Sequence, residues 1–266
     1  MVTEFEFRLH PVGTQALTVE LDFPIDSAAT LLRQWRELAA SAPRPATFTA
    51  ALCDGTLTIG YVWVGNRDDG QRLLPSLPAI GRPVAERVVP TTYVDLQRRD
   101  DTAAAGHAQR RYWQGHYFRE LTDDAIRELV GVAGCGRLRP NMSLQTYGGA
   151  IADVPDADTP FSHRDAMFEL LAATRWTDPA EDHDRIAATR QATETVRPFA
   201  SGTYVNVLTD EGAVGIRRAY SPAKLSRLTG IKDAYDPDNV FHLNQNIRPS
   251  AGHLAGTPAS ARGRRR

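Results

Sequence analysis

Two cysteines, Cys53 and Cys135, are all that the 266 residues contain. That is too few for a disulfide framework, and they lack the spacing of a thiolate metal site, so both read as packing residues in a reducing, cytoplasmic compartment. The seven histidines include no H-x-x-x-H pair, and no metal is expected. Charge of one sign is also lacking: 31 Lys and Arg against 32 Asp and Glu leave a net charge of −1. Neither a nucleic acid nor a membrane surface is offered an electrostatic footprint. No apolar run approaches the roughly 20 residues of a membrane-spanning helix, and Glu4, Glu6 and Arg8 interrupt the apolar core that a secretory signal needs. What remains, 42% hydrophobic and 24% charged, describes a soluble globular chain of one large or two small domains.

Periodicity supplies the elements. Phe5, Phe7 and Leu9 alternate with charges, as do Leu17, Val19 and Leu21 with polar residues, and both segments read as strands. The first should stop at His10-Pro11-Val12-Gly13. Asp26 and Ser27 offer caps for a helix with Leu31, Leu32, Trp35 and Leu38 inward. Strands over 47–53 and 57–64 meet across Asp54-Gly55, a hairpin pair. A short helix over 71–77 precedes Pro78, 84–89 is strand-like, Tyr93 to Gln97 opens a mobile segment, and Asp100 to Gly106 is loop. Strands follow over 112–118, 138–147, 167–176 and 203–208. Between them lie a helix capped by Thr122 and ended by Gly134 and Gly136, and a charged helix over 179–197. Ser221-Pro222 opens a last helix with Leu225, Leu228 and Ile231 inward. Together they predict an α+β fold, an antiparallel sheet with helices on one face.

The C-terminal stretch Tyr235-Asp236-Pro237-Asp238-Asn239-Val240-Phe241 closes that helix in a turn, and the amides of Asn244, Gln245 and Asn246 follow before Ile247 and Pro249. Three neighbouring amides suit the edge of a flat heteroaromatic ring. This segment resembles the C-terminal signature of the berberine bridge enzyme-like branch of the FAD-linked oxidases. Tyr204-Val205-Asn206, Gln145-Thr146-Tyr147-Gly148-Gly149-Ala150, Phe161-Ser162-His163-Arg164 and the opening strand occur in that family's order.

The resemblance implies an FAD-dependent oxidoreductase that oxidises an alcohol, sugar or amine by hydride transfer to flavin. It implies that residues 1–13 are the last strand of an FAD-binding domain otherwise missing, together with its covalent flavin anchors. Residues 14–200 would be the substrate domain, 201–250 the berberine bridge-like C-terminal segment, and 251–266, rich in Ala, Gly and Arg, a disordered tail. By the same resemblance Tyr204 is the expected base and Gln145 the residue that orients the substrate. Gln145 stands where other members carry a carboxylate, and Val207 where they often carry a second aromatic. Asn206, Asn244 and Asn246 are expected at the flavin ring. Tyr93 and Gln97 lie where relatives approach the substrate, and His163-Arg164 reads as a structural corner. The expected partners are a small-molecule substrate and a separately encoded FAD-binding domain. The alternative is a catalytically inactive remnant, or a docking subunit that needs that domain.

Overall fold

The computed structural model describes residues 3–9, 13–77, 81–99, 101, 109–133, 136 and 138–250. Cys135, Gly134, Pro78, the turn 10–12, most of the expected loop 100–106 and the tail 251–266 lie outside the described residues.

Strands β1 (Gln15–Pro24), β2 (Ala46–Cys53), β3 (Thr56–Val64), β4 (Ala85–Thr92), β5 (Arg110–Phe118), β6 (Asn141–Thr146) and β7 (Phe168–Trp176) form one sheet in the order β4-β1-β3-β2-β6-β7-β5. Every neighbouring pair is antiparallel. The predicted hairpin closes between Cys53 and Thr56, with Asp54 at φ 47° and Gly55 at φ 80°. Both angles are positive, as the tight hairpin turn that matches strand twist requires. Alternation along each strand then sorts the side chains. Leu17, Val19, Phe48, Ile59, Leu144 and Leu170 are buried on one face.

Helices α1 (Ala28–Ala40), α2 (Arg67–Gln71), α3 (Tyr93–Gln97), α4 (Asp123–Ala133), α5 (Ala150–Asp153), α6 (Asp182–Val196), α7 (Gly212–Ala219) and α8 (Pro222–Tyr235) complete the described elements. Of these, α1, α4 and α6 pack side by side, α4 and α6 against the sheet. Trp35 of α1 is fully buried against Phe168 of β7, with ring centroids 5.5 Å apart. Thr122 caps α4 as expected: the Ala125 N–H donates to its Oγ1 at 3.1 Å. Thr122→Ala should therefore lower stability by about 1 kcal/mol, read as a drop in urea midpoint at constant slope, whereas Thr122→Ser should largely preserve it.

Several expectations are corrected. Residues 3–9 form no strand, and Phe5, Phe7 and Leu9 are exposed, because an extended segment needs a pairing strand to satisfy its backbone. Helix is confined to 67–71, with a 3₁₀ turn at 74–76, where one helix was expected over 71–77. Tyr93–Gln97, expected to open a mobile segment, forms the short helix α3, whose first turn is capped by the Thr92 side chain accepting the Asp95 N–H. Residues 205–207 form a 3₁₀ turn, not a strand. On α8 it is Lys224 that is buried, while Ile231 is exposed. Lys224 reaches inward because Asp156 and the Phe161 carbonyl accept from its ammonium.

Candidate functional site

The sheet face opposite α4 and α6 carries the chemistry. A cavity of about 460 Å³ opens there, lined among others by Thr49, Ser143, Gln145, Glu169, Tyr204 and Val207. Gln145 arrives by the expected alternation: Met142 and Leu144 of β6 face the core, and Ser143 and Gln145 face the opposite way. A glycine pair follows β6 and leaves open space beside the backbone. A Cβ on Gly148 or Gly149 would meet nothing within 4 Å, but their φ values of 147° and 54° lie where L side chains are strained. Tyr147, just before the pair, donates its N–H to the Met167 carbonyl at 2.8 Å, and its ring centroid lies 5.1 Å from that of Tyr117.

Tyr204 is placed by edge pairing. The Tyr117 N–H donates to the Gly202 carbonyl at 2.9 Å, the Ser201 N–H donates to the Tyr117 carbonyl at 2.8 Å, and Thr203 Oγ1 donates to the Gly115 carbonyl at 2.8 Å. The chain then enters the 3₁₀ turn, which sets the Tyr204 ring 5.9 Å from Phe161 and 6.5 Å from Tyr117. Asn206 Nδ2 donates to the Tyr204 phenol oxygen at 2.7 Å. Tyr204 and Gln145 thus share one cavity, with Asn206 joined to them through Tyr204.

Glu169 was not anticipated. It stands opposite Gln145 in the β6–β7 register, is only 9% exposed, and accepts from Gln145 Nε2 at 2.5 Å. The nearby Tyr147 phenol favours its ionised form, and Tyr117 Oη donates to Tyr147 Oη at 3.3 Å. Burial raises the Glu169 carboxyl above the usual carboxylate range, opposed by the Gln145 hydrogen bond and the Tyr147 phenol. Burial likewise pushes the Tyr147 phenol up to about 12, helped by the Glu169 charge. The available signal was a lone carboxylate inside the apolar run Phe168–Trp176, out of phase with Phe168, Leu170 and Ala172.

The amide segment forms a separate hollow. Asn244, Gln245, Asn246, His242 and Arg217 line it, and Gln245 Nε2 donates to the Leu208 carbonyl at 2.9 Å, tying it to the turn that carries Tyr204 and Asn206. Asn246 Oδ1 is buried without a partner. A buried, unused amide oxygen is an acceptor suited to an N–H at a heteroaromatic edge, so these residues fit a flavin ring. Asn244 itself sits at φ 59°, which also suits a turn residue.

The remaining candidates are structural or lie apart. His163 faces the Arg218 carbonyl through Nε2 at 2.8 Å, and Arg164 donates to the Ile151 carbonyl and Thr159 Oγ1. Tyr93 and Gln97 do not line the cavity; Arg99, just beyond α3, does. Tyr112 donates to Asp210 and accepts from Arg190. Among the described residues, no group of three or more His, Cys, Asp or Glu is placed to hold a metal ion, and no helix is long and apolar enough to cross a membrane.

Residues 203–248 match the family described as "Berberine and berberine like". An FAD-linked oxidoreductase of Bacillus subtilis is 24% identical over 259 residues, an alignment that covers 93% of this chain and 57% of the relative. The fold superposes on aclacinomycin oxidoreductase with a TM-score of 0.76 at 19% identity, covering 89% of this chain and 56% of that one. On Physcomitrella patens BBE-like 1 the TM-score is 0.78 at 16% identity, covering 91% and 56%. These relatives are FAD-linked oxidoreductases. This chain shares the fold of more than half of each of these solved structures, carries the berberine-like C-terminal segment over residues 203–248, and spans a little over half the length of the relatives it matches.

Proposed function

We propose that this chain is the substrate-binding half of an FAD-dependent oxidoreductase acting on an alcohol, sugar or amine. The observation that supports this reading best is the convergence of Tyr204 and Gln145, from distant segments, on one cavity of the sheet face opposite α4 and α6. FAD, when bound, would supply the acceptor for a hydride, that is for a proton together with two electrons. The chain's own residues bind and orient. Gln145 offers an amide to the substrate, and the Tyr204 phenol offers a hydroxyl held in place by Asn206. Asn206, Asn244 and Asn246 would hold the flavin ring edge. The exposed side chains of Phe5, Phe7, Leu9, Phe241 and Leu243 suit packing against a flavin-gripping domain.

The test is to add excess FAD to the full-length protein, remove free cofactor by gel filtration and record the visible spectrum. A retained flavin band is expected, and a colourless protein would contradict the reading. In the loaded protein Tyr204→Phe should slow flavin reduction by substrate about tenfold, the loss of one neutral hydrogen bond, without releasing FAD.

A further inference from the structure

We propose that Glu169 is the proton acceptor of this cavity, held by Gln145 and Tyr147 and connected through Tyr147 to the buried phenol of Tyr117. This rests on the function proposed above and assigns to Glu169 the proton transfer that the family resemblance assigns to Tyr204.

Four observations carry it. Glu169 lines the same cavity as Gln145, Tyr204 and Val207, so a substrate group held there meets its carboxyl. It is nearly buried in a strand whose stretch Phe168–Ala173 is otherwise apolar, an expensive place for a carboxylate without a use. It accepts from the Gln145 amide with the Tyr147 phenol nearby, and no ion pair among the described residues consumes its charge. Its environment also points the right way: burial makes it a stronger base than an exposed glutamate, while the amide and the phenol keep the ionised form accessible. An ordinary phenol, by contrast, has a pKa of ~10 and must first lose its own proton. The other charged or titratable groups around the cavity are Glu20, Arg99, Tyr61, Tyr147, Tyr117 and Tyr204. Tyr61 is occupied, donating to the Gly70 carbonyl at 2.7 Å.

In the proposed step the O–H or N–H bond of the substrate breaks, its proton forms an O–H bond on Glu169, and the bonding pair stays on the substrate heteroatom. The oxidant that takes the adjacent C–H hydride is the flavin of the proposed function. Tyr204 then acts as a hydrogen-bonding group. Gln145 and Tyr147 are positioning residues for the carboxyl.

Two measurements test this. Carbon-13 NMR of full-length protein labelled at the glutamate side-chain carboxyls, assigned by Glu169→Gln, reads the acceptor without any flavin chemistry. The Glu169 signal is expected to titrate above the usual glutamate range and to move higher still in Tyr147→Phe and Gln145→Leu. A signal at the ordinary glutamate position, indifferent to both variants, would overturn the proposal. In the FAD-loaded protein, Glu169→Gln should slow flavin reduction by about 10²–10⁴-fold and remove the acidic limb of its pH profile, against the tenfold loss of Tyr204→Phe. If Glu169→Gln does not fold, Glu169→Asp, which keeps the acid at a shifted position, should retain the acidic limb at a reduced rate. A Glu169 variant as fast as wild type, or a larger loss in Tyr204→Phe, would overturn the proposal while leaving the flavin reading intact. Failure of FAD to bind would strike that reading, with the carboxyl titration still deciding whether Glu169 is held as described.

Discussion

Replacing Trp35 with alanine should destabilise the protein by about 3–5 kcal/mol, a large share of the roughly 5–15 kcal/mol that holds a domain folded. Trp35 has no solvent exposure, and its ring lies between α1 and Phe168 of β7, so deletion leaves a cavity where helix layer and sheet meet. The same residue carries a contrary feature: its indole N–H is buried without a partner. Trp35→Phe removes that orphan donor along with part of the volume, so it should cost far less than Trp35→Ala, on the order of 1 kcal/mol. Urea unfolding at constant slope measures both. Equal losses in the two variants would show that ring packing is not what Trp35 contributes.

Acidification should expose a second weak point, at His116. The ring is 3% exposed on β5; Arg218 donates to Nδ1 at 2.6 Å, and Nε2 meets the Thr193 carbonyl at 2.9 Å. Nδ1 must accept and Nε2 must donate, which fixes the neutral tautomer. Burial, with Arg218 and Arg197 nearby, pushes the pKa down to about 4, only partly offset by Glu194 and the Thr193 carbonyl. The unfolded histidine titrates at ~6.5, so between the two values the unfolded state binds the extra proton. The stability contributed by neutral His116 is therefore complete above pH ~6.5 and is lost as pH falls through the folded value, about 3 kcal/mol in all. His116→Gln can keep a hydrogen bond but cannot titrate. Its urea midpoint should fall less between pH 7 and 4 than that of the wild type, and parallel pH dependences would remove His116 from the account.

Much of the fold was legible because local chemistry and tertiary packing agree. Asp54-Gly55 has one good use, a tight turn, and Thr122 and Ser221 sit where helices need side-chain acceptors. The sequence misled where alternation had another cause. Tyr204-Val205-Asn206-Val207 reads as a strand, yet pairing with β5 ends at Gly202, whose Cα lies so close to the His163 ring that a Cβ would fall 2.1 Å from it. The chain turns there, and that turn brings Asn206 to Tyr204. In the site itself, Gln145 and Tyr204 were named from motifs, but Glu169 was not. A lone carboxylate in an apolar strand acquires its role only when β6–β7 register places it opposite Gln145, and register between distant strands is not written in either strand alone.

The most direct measurement is anaerobic titration of the full-length, FAD-loaded protein with representative primary alcohols, sugars and amines while following the visible flavin band. At least one of these classes should bleach the band, and Tyr204→Phe and Glu169→Gln should slow the bleaching by unequal factors, Glu169→Gln the more. A flavin that a chemical reductant bleaches but none of these substrates does, or that bleaches equally fast in both variants, would contradict the assignment of substrate oxidation to this cavity.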